Sequence, residues 1–294
     1  MWRGWPSIAA VALVAACAAP GATVAPASTA PSETGPLSTP TAVPTAAPDL
    51  EHPVGVIAIG HSGLTGEGTA GTYEPNPQAS WATGTLPAVD SVYLRLVGVR
   101  PETEGRVANT ARGGASAVLL SPQAEAALQN VPVPELAIVQ TVDNDINCEG
   151  TNIADVGEQL AAALALIHDA SPNTKILVAL QLGRPDAAYV RKLVAYAPST
   201  KADLTFPDDC SFFDAAGNLR IHGLEKLSAV IDRYEAEEAR VCAAVANCVT
   251  DGGVRKAYLD KIENFSPDYA HLNVRGQAAE AALIWPVVED LLGL

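Results

Sequence analysis

The stretch GVIAIGHSGLTGEG, residues 55–68, carries an unbroken apolar run straight into a glycine-rich turn that holds His61 and Ser62. A run that is apolar at every position, rather than at alternate ones, is what a parallel strand covered on both faces requires. The serine behind it has two readings. It can be turn chemistry, because a short hydroxyl side chain satisfies local backbone groups. It can also be a nucleophile presented at the mouth of a sheet, and the rest of the chain has to separate the two.

Working outward from this first strand (53–60), further strand-like runs occur at 105–109, 135–141, 174–180 and, most weakly, 247–250. Helical spacing fills the gaps. It is carried at 154–170 by Val156, Leu160, Ala163, Leu164 and Ile167, and at 225–246 by Leu227, Ile231, Tyr234 and Val241. A last helix is expected at 274–292, with Gly293 as its stop. Strand and helix in alternation predict right-handed crossovers and a doubly wound α/β sandwich. Such sheets bind ligands beyond the carboxyl ends of their strands, so Ser62, Gly113–Gly114 and Asn144 should meet on one rim.

The 294 residues suffice for one sizeable domain, and 48% of them are hydrophobic, which argues against global disorder. A formal charge of -15 with no Lys/Arg cluster excludes a phosphate backbone as partner. Residues 1–17 read as a leader, with Arg3 as its positive end and an apolar stretch too short to span a bilayer. It ends in Val14-Ala15-Ala16-Cys17. That is similar to a bacterial lipobox, in which Cys17 would be lipidated and membrane contact would run through that anchor alone; the alternative is an ordinary signal peptide. Residues 18–50 are rich in Ala, Pro, Thr and Ser and form a spacer that cannot bury enough apolar surface to fold. The folded part is then 51–294, outside the cell.

Cys148, Cys210, Cys242 and Cys248 remain, an even number in an exported chain, and read as two disulfides. The favoured pairing is Cys242–Cys248, closing a helix end onto the next strand, with Cys148–Cys210 as the remainder. Zinc is the competing reading, but there is no CxxC pair and no histidine at ligand spacing.

Near the C-terminus stands SPDYAHLN, with Asp268 three residues before His271. A nucleophilic serine needs a base to take its proton and a carboxylate to orient that base. Alternatively Asp268 caps the last helix and His271 is a packed surface residue. Two further stretches favour the catalytic reading. NTARGGAS (109–116) places consecutive glycines after the second strand, and TVDND (141–145) places Asn144 after the third. The backbone N–H groups of Ser62 and Gly114 and the side-chain amide of Asn144 would form an oxyanion hole.

These four stretches resemble the blocks of the SGNH (GDSL-type) hydrolase superfamily, over nearly all of Pro53 to Leu294. IGHSGLTGEG is similar to the block bearing the nucleophile, NTARGGAS to the second, VDND to the third (G-x-N-D) and DYAHLN to the fifth (D-x-x-H). The resemblance implies a flavodoxin-like three-layer sandwich with a five-stranded parallel sheet, acyl-ester chemistry by Ser62, His271 and Asp268, and no cofactor. Two positions depart from the blocks. His61 stands where aspartate is usual, either as a second titrating group or as a variant turn residue, and Val142 replaces the glycine of the third block.

Substrate-contacting loops are expected at 69–81, 147–152 and 202–223. Phe206, Phe212 and Phe213 in the last could line an acyl pocket, stack on sugars or form a minor core. No long apolar lid is visible. The expected function is hydrolysis of short-acyl or carbohydrate esters by a monomer. An acyltransferase on the same triad and a silent glycan-binding protein are the alternatives.

Overall fold

The computed structural model describes residues 49–294 except 72, 199, 200, 202, 203, 206, 207, 258–260 and 269. Cys17, the leader, the spacer up to residue 48 and Phe206 lie outside the described residues. Five strands, β1 (Val56–Gly60), β2 (Val107–Asn109), β3 (Leu136–Gln140), β4 (Lys175–Val178) and β5 (Cys248–Thr250), form one sheet in the order β2-β1-β3-β4-β5, every pairing parallel. This is the flavodoxin-like order.

The central strands β1, β3 and β4 are apolar because both their faces are covered. From Val56 to Ile59 successive side chains point to opposite faces, and all four are fully buried. Ile57 and Ile59 join Val139, Ile176 and Val178 under α2 (Leu120–Asn130), α3 (Ile153–Ala170) and α5 (Ile221–Ala243). Val56 and Ala58 join Ile138 and Leu177 under α1 (Val92–Val99) and α6 (Val274–Leu292). Three layers result, each buried Leu, Ile or Val contributing about 1.5–3 kcal/mol. A third apolar cluster gathers Tyr189, Val190 and Leu193 of α4 (Ala187–Tyr196) with Phe212, Phe213, Leu224, Phe265 and Leu272. Phe212 and Phe213 are therefore minor core rather than pocket lining.

The helix expected at 225–246 begins a turn earlier, at Ile221. Helices α1, α2 and α4 are additions to the sequence reading. Their starts are local: the side chains of Ser91 and Asp186 accept the backbone N–H groups of Leu94 and Tyr189 and so cap α1 and α4. Helix α1, at eight residues with Val92, Val97 and Val99, has too little length for its periodicity to stand out. The last helix ends at Gly293, whose φ of 65° is the left-handed stop.

Both disulfides are present. Cys242–Cys248 closes the turn between α5 and β5, and Cys148–Cys210 ties the loop behind β3 to the segment before α5. Among the described residues no helix is long and apolar enough to cross a membrane.

Candidate active site

In this strand order the chain leaves β1 to one side, for β2, and returns on the other side as β3. A crevice opens at the carboxyl ends of β1 and β3, where the direction reverses. Ser62 follows β1 by two residues and Asn144 follows β3 by four, so both lie at the carboxyl end of the sheet.

The turn after β1 is held in several ways. Gly60 has φ 140°, and a Cβ there would sit 1.8 Å from the carbonyl oxygen of Gln140, so only glycine lets β1 pass β3 at this point. The Gln123 side chain of α2 clamps the same peptide twice. Its Oε1 accepts the Gly60 N–H at 2.7 Å, and its Nε2 donates to the Gly60 carbonyl at 3.0 Å. Ser62 then opens a single 3-10 turn, Ser62–Leu64, and its carbonyl accepts both the N–H and the hydroxyl of Thr65.

His61 caps this turn: its Nδ1 accepts the Gly63 N–H at 3.1 Å. The ring proton therefore sits on Nε2, which is buried without a partner. Burial lowers the His61 pKa, the nearby Asp143 opposes this, and Arg255 and His271 add to the lowering. Such a ring stays neutral at pH 7 and behaves as the variant turn residue rather than as a second titrating group.

The second and third loops are fastened to each other. Asn109 Nδ2 donates to the Leu64 carbonyl at 2.8 Å and to Thr83, docking the second loop on the turn of Ser62. Asn144 Nδ2 donates to the Ala115 carbonyl at 2.9 Å, which leaves the second N–H of this exposed amide for a ligand. Asp145 Oδ2 accepts the Ala117 N–H at 2.9 Å. Gly114, exposed and with φ 70°, lies in the loop these bonds hold.

Val142 has φ 68° and is 1% exposed. The third block that VDND resembles carries glycine here, and the backbone shows why: this is the left-handed region, costly for a β-branched residue. Val142→Gly relieves strain of about 1–3 kcal/mol while losing buried surface of similar worth. Val142→Ala loses buried surface yet keeps a Cβ in the same conformation. We therefore expect Val142→Gly to be at least as stable as Val142→Ala, although it removes one more carbon; urea unfolding gives the order.

Asp268 and His271 meet on the turn before α6. His271 Nδ1 lies 2.7 Å from Asp268 Oδ2, and Asp268 Oδ1 accepts the N–H groups of Ala270 and His271 and the Ser266 hydroxyl. Burial works against the Asp268 charge, but the hydrogen bonds from His271 and Ser266 outweigh it and bring its pKa down to about 2. For His271 burial works against the cation, and Asp268, Glu67 and Asp143 outweigh it, so its pKa is raised. The helix cap is Asn273, whose side chain accepts the Gly276 N–H, so Asp268 is left to the histidine.

This pair sits against the segment that follows the turn of Ser62. A Cβ on Gly68 would stand 2.7 Å from His271 Cβ, and the edge of Tyr73 meets the imidazole at 6.1 Å. His271 Nε2 lies 3.5 Å from Glu67 Oε2, and among the described residues it makes no hydrogen bond to Ser62 Oγ. Serine and histidine of an unliganded site often engage only once substrate is bound. Beside them a groove of about 190 Å³ is lined by Gly71, Tyr73, Ser266, Pro267 and Asp268. Glu67 and Gln123 are site residues that the sequence reading missed. Nothing local in the sequence pointed to either, since a polar residue in a turn or on a helix face is ordinary.

No family model and no curated protein sequence matches the chain. Among solved structures it is similar to a putative GDSL-like lipase from Parabacteroides merdae, at 13% identity and a TM-score of 0.46 over 82% of this chain and 95% of that one. It is similar to phospholipase A1 from Streptomyces albidoflavus at 10% identity and 0.46, over 81% and 99%. A carbohydrate esterase family 2 enzyme of Corynascus thermopiles gives 14% and 0.48, over 86% and 69%. The architecture assigned to the chain rests on its own strand order: a flavodoxin-like five-stranded parallel sheet between two helical layers.

Proposed function

We propose that the chain is a serine ester hydrolase of the SGNH type, acting on short-acyl or carbohydrate esters outside the cell, with Cys17 as its lipid anchor. The observation that carries this is the Asp268–His271 pair, closed at 2.7 Å and packed against Glu67 and Gly68 on the segment that follows Ser62.

In this reading Ser62 Oγ attacks the ester carbonyl carbon as its proton passes to His271 Nε2. The electron pair of the carbonyl moves onto oxygen, where the N–H groups of Ser62, Gly114 and Asn144 receive it. His271 then returns the proton to the departing alkoxide, and water repeats the sequence on the acyl-enzyme to release the acid. Asp268, ionised at every pH above about 2, holds Nδ1–H and stabilises the imidazolium. A groove lined by Gly71, Tyr73, Ser266, Pro267 and Asp268 runs beside the pair, and among the described residues no long apolar channel opens next to it. Two disulfides favour an oxidising compartment.

The test is hydrolysis of p-nitrophenyl esters from acetate to laurate, with a fluorophosphonate probe followed by peptide mass spectrometry. Turnover that is fastest at the short end, with the label on Ser62, is the expected result. Label on another residue, or none together with no turnover, overturns the proposal. Because His271 must be neutral to act and its pKa is raised, kcat/KM should fall as the pH drops through a value above the ordinary histidine figure of 6.5.

A further inference from the structure

The nitrogen that must take the serine proton faces a carboxylate. His271 Nε2 stands 3.5 Å from Glu67 Oε2, while Nδ1 stands 2.7 Å from Asp268 Oδ2. One imidazole thus lies between two acids, one from its own turn and one from the turn that begins at Ser62. Glu67 is 6% exposed and fixed in place. Its Oε1 lies 3.1 Å from the Thr65 hydroxyl, whose single proton is shared between this carboxylate and the Ser62 carbonyl at 2.9 Å. A Cβ on Gly113 would lie 2.3 Å from Oε1, so the loop next to the oxyanion donor Gly114 packs directly onto this carboxylate.

With Nδ1–H given to Asp268, a neutral His271 turns the Nε2 lone pair toward Glu67. Two lone pairs at this separation repel unless a proton lies between them. The proton can sit on nitrogen, as imidazolium facing carboxylate, or on oxygen, as a carboxylic acid facing imidazole. Burial raises the Glu67 pKa and the three acids around His271 raise that of the histidine, so both members of the pair favour keeping that proton.

We propose that Glu67 is a positioning residue for His271, holding the Nε2 proton of the resting site and so governing when that nitrogen is open to the proton of Ser62. The inference rests on the hydrolase reading and adds one residue to it. The proton balance is simple. In the resting pair one proton lies between Nε2 and Oε2; it leaves to solvent, and the vacated Nε2 then takes the proton from Ser62 Oγ as the Oγ–carbon bond forms. Glu67, left as a carboxylate beside the new imidazolium, stabilises it from the side opposite Asp268.

Other groups act on the same ring. Asp268 faces it from its own turn, Asp143 from the loop after β3, the buried His61 from the turn after β1, and the Tyr73 edge from the following loop. Glu74 adds negative charge near Glu67. Of these only Glu67 has a carboxylate oxygen within 4 Å of Nε2 among the described residues.

The test uses the full-length chain and does not depend on turnover. In the unaltered protein the side-chain carboxyl 13C resonance of Glu67 should step at the pH where the His271 ring nitrogens titrate. In Glu67→Gln the His271 midpoint should fall by about half to one pH unit, the size of one partly screened charge near 4 Å, and the acid limb of kcat/KM should follow it. Glu67→Asp, which keeps the charge on a shorter stem, should lie between the two. A His271 midpoint unmoved in a folded Glu67→Gln, or a Glu67 resonance blind to His271 in the unaltered protein, overturns the inference even in an active enzyme. A coupled pair in a protein that hydrolyses no ester would instead overturn the hydrolase reading and leave the pair standing.

Discussion

Ser62→Ala is expected to lower kcat on p-nitrophenyl acetate by about 10⁴–10⁶-fold, the scale seen when a triad nucleophile is removed. The physical grounds are local. Ser62 stands at the carboxyl end of β1, on a turn pinned by Gly60, Gln123 and Thr65, beside an Asp–His pair whose carboxylate is ionised. The change deletes one hydroxyl to which no hydrogen bond is made among the described residues, so no buried partner is orphaned and the unfolding midpoint should stay near that of the parent. What survives should be the modest rate that the oxyanion donors supply on their own. A loss below tenfold would mean that Ser62 is only a turn residue.

The second large effect concerns stability. Arg255, 1% exposed, places Nη2 2.5 Å from Glu280 Oε1 of α6, itself 1% exposed, and donates through Nη1 to the Leu180 carbonyl just past β4. Its guanidinium lies over the Trp81 ring at 5.8 Å. Arg255→Met removes the cation and strands a buried carboxylate, for which about 3–5 kcal/mol is the expected cost in urea unfolding at pH 7. Arg255→Met with Glu280→Gln should recover part of that, because the carboxylate in direct contact is then gone while Asp251 and Glu238 still lose their nearby cation. The pH dependence has a definite sign. Burial already raises the Glu280 pKa, and losing Arg255 raises it further. An acid held above its unfolded pKa binds its proton more tightly when folded, so its penalty grows as the pH rises from about 4.5 and saturates above the folded value. The deficit of the single variant should therefore shrink as the pH is lowered toward 4.5. A deficit that is equal at both pH values would show that Glu280 does not carry it.

The legibility of this chain in its sequence follows the geometry of its elements. The three central strands could be read because parallel strands covered on both faces are apolar at nearly every position, the edge strands β2 and β5 carry a weaker signal, and the long helices show stripes that run for four turns or more. Helices α1 and α4 are too short for a stripe and are set by one capping side chain each. At the site, Asp268 and His271 could be read because their spacing along the chain is also their spacing in space. Glu67 sits five residues from Ser62, but its significance depends on His271, 204 positions later, and no local pattern carries that relation. Gln123 is still less visible: a glutamine on a helix face looks like solvent dressing until the sheet places Gly60 beneath it. Val142 shows the reverse case. Its departure from the glycine of the third block is visible in the sequence, and the backbone angle discloses its strain.

The strand order also sets a timetable for the growing chain. β1 emerges first of the five strands yet lies inside the sheet, second from its edge, so the nascent segment has no neighbour on either side until β2 and then β3 have been made. The turn of Ser62 cannot acquire its Gln123 clamp before α2 exists, and the histidine arrives only after all five strands. Until then an apolar strand with two bare edges waits for partners, which is the condition under which chains pair with the wrong neighbour or recruit holding factors. Chains released early would carry Ser62 without His271, so on the proposed mechanism they would be inactive. Any activity this protein shows would accordingly report that the whole sheet, and the last helix behind it, has closed.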